Sequence, residues 1–174
     1  EGVTGRLPEG VRVIFYPKDA QGRKIDTYLP AKGGEMKVPP GHYLAVIYNY
    51  DTEVMQVKGE DSYETIMACT GNCTGLGDSE TENMVWGPDN FYVATLDDVE
   101  IGKGEELPTL EVRPKSVVTT YIFSIKTEGL KNVSSIIGSV SGMAECYHLG
   151  KGAGLCRFAP IYCETGKGNG VIKG

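Results

Sequence analysis

The chain has 174 residues and a formal net charge of −6, with Lys and Arg scattered rather than clustered, which argues against a nucleic-acid or anionic-membrane surface as partner. A chain of this length, whether one domain or two, buries a substantial core, about 70% of its unfolded surface for a domain near this size. No apolar stretch approaches a membrane span, no signal-like segment opens the chain, and the start at Glu1 rather than Met suggests a trimmed or processed product.

Abundant glycine and tyrosine, with proline punctuating the chain, suit many short strands joined by tight turns. Val11–Tyr16 predicts a first strand, stopped by Pro17. Ile25–Leu29 and Glu35–Val38 predict two more, bounded by Pro30, Gly33-Gly34 and Pro39. Pro39-Pro40-Gly41 then feeds Tyr43–Tyr50, an apolar and aromatic run whose alternate positions leave neither face suited to water, as in a strand buried on both sides. Val54–Val57 and Tyr63–Ala68 follow as shorter strands. Residues 70–89 form a long loop rich in Gly, Asn, Ser, Thr and acidic residues, of a length that is unusual inside a compact domain.

Phe91–Leu96 resumes strand character, and Leu110–Arg113 alternates before Pro114, which marks a domain boundary. Beyond it Val117–Ile125 is β-branched and aromatic. Leu130, Val133 and Ile137 allow one helical turn near Lys131-Asn132. Ser135–Tyr147 predicts a glycine-bearing strand with a bulge, then Leu155–Cys163 another, and Val171 begins a last one.

Few residues point to chemistry. Lys103, Lys151 and Lys167 are each followed by Gly where a phosphate loop needs Lys-Ser/Thr ahead of a helix, and Gly75–Glu80 lacks the third glycine of a dinucleotide fingerprint, so hairpin turns explain them. His42 and His148 read as surface turn residues, with no G-x-S-x-G elbow for either to serve. Asp97-Asp98 and Glu105-Glu106 are solvated acidic doublets without the spacing of a calcium loop. Cys69 and Cys73 flank Thr70-Gly71-Asn72, where a small disulfide loop can close; the other cysteines are Cys146, Cys156 and Cys163, and a lone C-x-x-x-C is no zinc signature. No catalytic residues, cofactor or metal site emerge. Trp86, the single tryptophan, falls with Phe91 and Tyr92 in or beside the long loop, and the three together suggest a ligand-stacking or partner-contact surface.

Val13-Ile14-Phe15-Tyr16-Pro17, then Pro39-Pro40-Gly41-His42-Tyr43 running into Tyr48-Asn49-Tyr50-Asp51-Thr52, resembles the fimbrillin-associated anchor and assembly lipoproteins of Bacteroides-type bacteria. Phe91-Tyr92-Val93, Arg113-Pro114 with Tyr121, Gly129–Val133 and Ser141–Ala144 continue the same order of blocks across nearly the whole chain. The resemblance implies an all-β protein of transthyretin-like Greek-key β-sandwiches: an N-terminal domain over residues 1–113 and a second over 114–174, shorter than the family pattern and incomplete at its C-terminus. It also implies a non-enzymatic lipoprotein held at the outer membrane by an N-terminal lipid, whose cysteine this sequence lacks, with fimbrial subunits or other surface proteins as partners. Two functions follow. One is a fimbrial anchor or assembly subunit acting through strand or sheet association; the other is a glycan- or ligand-binding sandwich using Trp86, Phe91 and Tyr92.

Overall fold

The computed structural model describes residues 8–19, 22–73, 84–104, 108–155, 158–163, 165–168 and 170–174. In chain order the first strands are β1 (Gly10–Pro17), β2 (Ile25–Pro30), β3 (Gly41–Asn49), β4 (Met55–Lys58), β5 (Met67–Thr70), β6 (Tyr92–Ile101) and β7 (Lys115–Ser116). The later ones are β8 (Ser124–Lys126), β9 (Gly138–Ala144), β10 (Cys146–His148), β11 (Ala153–Gly154), β12 (Phe158–Cys163), β13 (Gly166–Gly168) and β14 (Val171–Lys173), with a 3-10 turn at Leu130–Asn132. A five-stranded antiparallel sheet in the order β2-β1-β3-β6-β7 packs on a four-stranded sheet in the order β11-β10-β5-β4, which bears out the all-β, sandwich reading.

β3 lies between β1 and β6, and its alternation explains why the run from Tyr43 carries no polar face. Val46 and Tyr48 join Ile14, Tyr16, Ile66, Ala68, Phe91, Val93 and Leu149 in the core between the sheets. Tyr43, Ala45 and Ile47 join Val13, Phe15 and Val99 in a second core on the opposite face, covered by Met36, Val38 and Val112. A side chain such as Ile14, wholly buried, contributes about 1.5–3 kcal/mol through the area it removes from water.

The structure departs from the sequence reading where a partner strand is lacking or a turn satisfies the backbone first. Residues 35–38 are not strand: ahead of two prolines they lie as an apolar cover on the second core. Tyr63–Thr65 is a turn, because Thr65 N–H and Ile66 N–H both donate to Ser62 O, at 3.2 and 3.0 Å, and Thr65 Oγ1 donates to Gly59 O at 2.7 Å. Leu110–Arg113 has no ladder, and only β8 of the Val117–Ile125 run is strand. The single strand expected over 135–147 is two: Gly142 adopts φ +83, Glu145 bends, and β9 and β10 enter different sheets.

The boundary expected at Pro114 does not divide the sheets. β7 pairs with β6, and β10 and β11 complete the sheet that β4 and β5 begin. Strands from both sides of that proline therefore build one sandwich. What remains is slighter: a two-stranded ribbon of β12 and β9, and a three-stranded sheet in the order β13-β14-β8.

Candidate functional surfaces

The residues singled out for ligand or partner contact are not gathered on one surface. Phe91 is fully buried in the main core, with its ring 5.8 Å from that of Tyr48. Trp86 is half-buried and packs edge-on against Tyr162, ring centroids 5.2 Å apart. Its strand-like segment is held on two sides: Trp86 N–H donates to Gly71 O, Val85 N–H to Pro160 O and Tyr162 N–H to Val85 O, at 2.8–3.0 Å. Tyr92 starts β6, and its N–H donates to Asn49 Oδ1 at 2.8 Å. The stretch 74–83 of the long loop, Glu105-Glu106 and Cys156 lie outside the described residues.

Cys69 is bonded to Cys146, not to Cys73. Cys69 on β5 faces Cys146 on β10, and the neighbouring bonds, Thr70 N–H to Glu145 O and Leu149 N–H to Ile66 O, make 69/146 a non-hydrogen-bonded pair. Side chains approach closest at such a pair, and the two Cα atoms are 4.2 Å apart. Cys73 is a buried thiol, its pKa raised by that burial, with its N–H donated to Met84 O.

His148 is likewise not a surface residue. It is buried, its Nε2 lies 2.6 Å from Glu64 O, and its Nδ1 accepts Lys151 N–H at 3.0 Å. That acceptance places the ring proton on Nε2, which donates to Glu64 O. His42 is exposed, as expected, but it lies in β3 opposite Glu100 rather than in the turn.

A recess lined by Glu9, Asn49, Asp51, Glu53, Asp89, Asn90 and Tyr92 is acidic, and two of its carboxylates, those of Asp89 and Asp51, serve the chain itself. Asp89 Oδ2 accepts the N–H groups of Glu53, Val54 and Met55 at 2.6–3.0 Å, and Asp51 accepts Glu9 N–H and Asn49 Nδ2, both at 3.0 Å. These carboxylates act as staples for loop backbone. Among the described residues no group of three or more His, Cys, Asp or Glu is arranged to hold a metal ion, and no helix is long and apolar enough to cross a membrane.

The most developed exposed feature lies at the β2 side of the five-stranded sheet, on the face that carries Ile14 and Tyr48. Register sets Tyr28 opposite Arg12 and Arg12 opposite Tyr48. Arg12 grips Asp26 through Nε and Nη2 at 2.9 and 2.6 Å, donates to Tyr48 OH at 2.9 Å, and binds both carboxylate oxygens of Glu60. Its guanidinium carbon stands 5.3 Å from the Tyr28 ring centroid. Tyr28 meets Tyr50 edge-on at 5.1 Å, yet the two remain 58% and 45% exposed. A charged hub thus fixes a tyrosine pair beside β2, the outer strand of its sheet, whose far edge pairs with no described strand. The sequence offered Ile25–Leu29 as a strand, but only the register with β1 reveals the arginine beside Tyr28.

Residues 1–164 match the family model described as a domain of unknown function, DUF5119. The chain belongs to that family. It is 53% identical, over 99% of its length, to a Bacteroides ovatus protein named "Putative fimbrium anchoring subunit Fim4B", and spans 52% of that protein, about half its length. Its fold superposes with a TM-score of 0.91 on the crystal structure of "a putative adhesin from Bacteroides ovatus", at 53% identity, covering 99% of this chain and 61% of that one. The resemblance to the Bacteroides fimbrial anchor and assembly proteins is borne out by these matches.

Proposed function

We propose that this chain is the protein-binding part of a non-enzymatic, fimbrium-associated cell-surface protein, which holds fimbrial subunits through strand or sheet association at the β2 edge and the Tyr28–Tyr50 pair. In the full-length protein an N-terminal lipid tethers it to the outer membrane, and the sandwich is of transthyretin-like type. The observation that carries the reading is the 53% identity to a protein named as a fimbrium anchoring subunit, maintained along 99% of the chain. The geometry supports it: Asp89 and Asp51 of the acidic recess bind amides of the chain, while the exposed aromatic pair and an edge that no described strand covers have the composition and form of a contact surface.

The test is cellular. In fimbriated cells producing the full-length protein, Tyr28→Asp combined with Tyr50→Asp should leave protein abundance unchanged and release fimbriae into the medium. Fimbriae that stay on cells carrying the double variant, and equally on cells lacking the protein, would refute the reading.

A further inference from the structure

Residues 117–125 form a long β-branched and aromatic run, yet the structure uses little of it as strand. Val117 and Val118 turn in against the main core, and Val117 N–H donates to Phe91 O at 3.0 Å. Thr119–Ile122 are all exposed, Tyr121 at 63% and Ile122 at 77%, and no backbone hydrogen bond joins them to another described residue.

The ladder beside them is in full register up to Gly174. β14 runs antiparallel to β8 with Val171 opposite Lys126, Ile172 opposite Ile125 and Lys173 opposite Ser124. Gly174 adds one more rung, since Phe123 N–H donates to Gly174 O at 2.9 Å and Gly174 N–H to Phe123 O at 3.3 Å. A strand edge of apolar, β-branched residues thus continues past an intact rung with no described strand beside it. The same part of the molecule leaves Ile125, Ile137 and Phe158 largely exposed, on sheets of only two and three strands.

We propose that Val118–Ile122 is the docking edge for an antiparallel strand that prolongs β14, supplied by polypeptide running on from Gly174 in the full-length protein. The register already set by β8 and β14 fixes the pairing: the first residue past Gly174 faces Ile122, the third faces Thr120 and the fifth faces Val118. The chain spans 52% of its fimbrium-anchoring relative, so a protein of that length has polypeptide to spare for such a strand. A strand covalently continuous with β14 also docks with less loss of freedom than one arriving from another molecule. Because Phe123 and Gly174 exchange both hydrogen bonds, the next pair outward is of the non-hydrogen-bonded kind, the class that brings Cys69 and Cys146 within disulfide reach.

This geometry gives a test on the full-length protein, purified as a monomer. Ile122→Cys, combined with a cysteine at the first position after Gly174, should form an intrachain disulfide, identified by peptide mass spectrometry. Moving the second cysteine one position on should cut the yield by about tenfold, because its side chain then points to the other sheet face. On the unmodified protein, amide hydrogen exchange at Thr119 and Tyr121, whose N–H groups the register points at the added strand, should be slowed by about 100-fold relative to the 174-residue chain, so the measurement stands even where the cysteine variants do not fold. Exchange at Thr119 and Tyr121 that is equally fast in the full-length monomer overturns the proposal. Protection that appears only in a dimer or on adding a fimbrial subunit also overturns it, while leaving the anchoring reading intact. So does a natural chain with no residues past Gly174.

Discussion

Arg12 shows how one side chain on a mid-sheet strand organises a surface. Its side chain is 15% exposed, with Asp26 and Glu60 at 24% and 26%, so the ion pairs are shielded enough to exceed the usual worth of a surface salt bridge. Arg12→Met should destabilise the protein by about 2 kcal/mol, read as a lower urea midpoint, because two carboxylates and the Tyr48 hydroxyl lose a charged donor together. The pH dependence has a definite sign. Hydrogen bonds from Arg12 lower the Asp26 pKa below its ordinary 3.8, so the stability they add is present above that value and is lost as pH falls below it. Burial raises Tyr16 and Tyr48 above their ordinary 10.0, so stability falls as pH rises past about 10, where the unfolded chain ionises first. Urea midpoints between pH 2 and 11 should decline at both ends, and Arg12→Met should flatten the acid limb; an unchanged acid limb would refute the Arg12–Asp26 link. None of this was legible in the sequence, where Arg12 is one arginine in an apolar run and Asp26 and Glu60 are remote from it.

At the scale of elements, the join between β5 and β10 ties the two halves of the chain. The spacing of Cys69 and Cys73 drew attention to a local loop, because sequence displays neighbours and hides ladders. Cross-strand register instead brings Cys69 to Cys146, 77 residues away. Closing a loop of that size restricts the unfolded chain, so Cys69→Ser with Cys146→Ser should cost about 4 kcal/mol by the chain-entropy estimate. Thermal melts of the double variant and of the reduced wild type should agree. A melting temperature unmoved by reduction would mean that the bond adds nothing to the ladder. His148, two residues further along β10, ties the same junction to the 63–66 turn through Glu64 O. His148→Ala should cost about 2–3 kcal/mol, since it empties a buried site and leaves Glu64 O and Lys151 N–H without their partner. Amide exchange that quickens across 63–68 would be its signature, and an unchanged rate there would argue against the tie.

For the whole molecule, the fold class was legible and the partition was not. Proline and glycine stops, with doubly apolar runs such as Tyr43–Tyr50, announce a sheet buried on both faces, and β1, β2, β3 and β6 lie where those signals put them. Which later strands complete the facing four-stranded sheet is decided by pairing across more than 70 residues, and no local pattern encodes it. The dependence can be measured directly. A fragment of residues 1–113 lacks β10 and β11, so its second sheet falls to two strands, and it loses Leu149, which is wholly buried against the core with Ile14, Ile66 and Phe91. It also loses the cover of Val117 and Val118. Removing a buried leucine alone costs about 2–5 kcal/mol, a large share of the about 5–15 kcal/mol by which such domains are stable. The fragment should therefore bind an apolar dye and lose signal gradually in urea, whereas the 174-residue chain unfolds in one sharp transition. A cooperative transition and dispersed amide resonances from 1–113 alone would show instead that the first six strands suffice, and that the returning strands merely decorate a sandwich already complete.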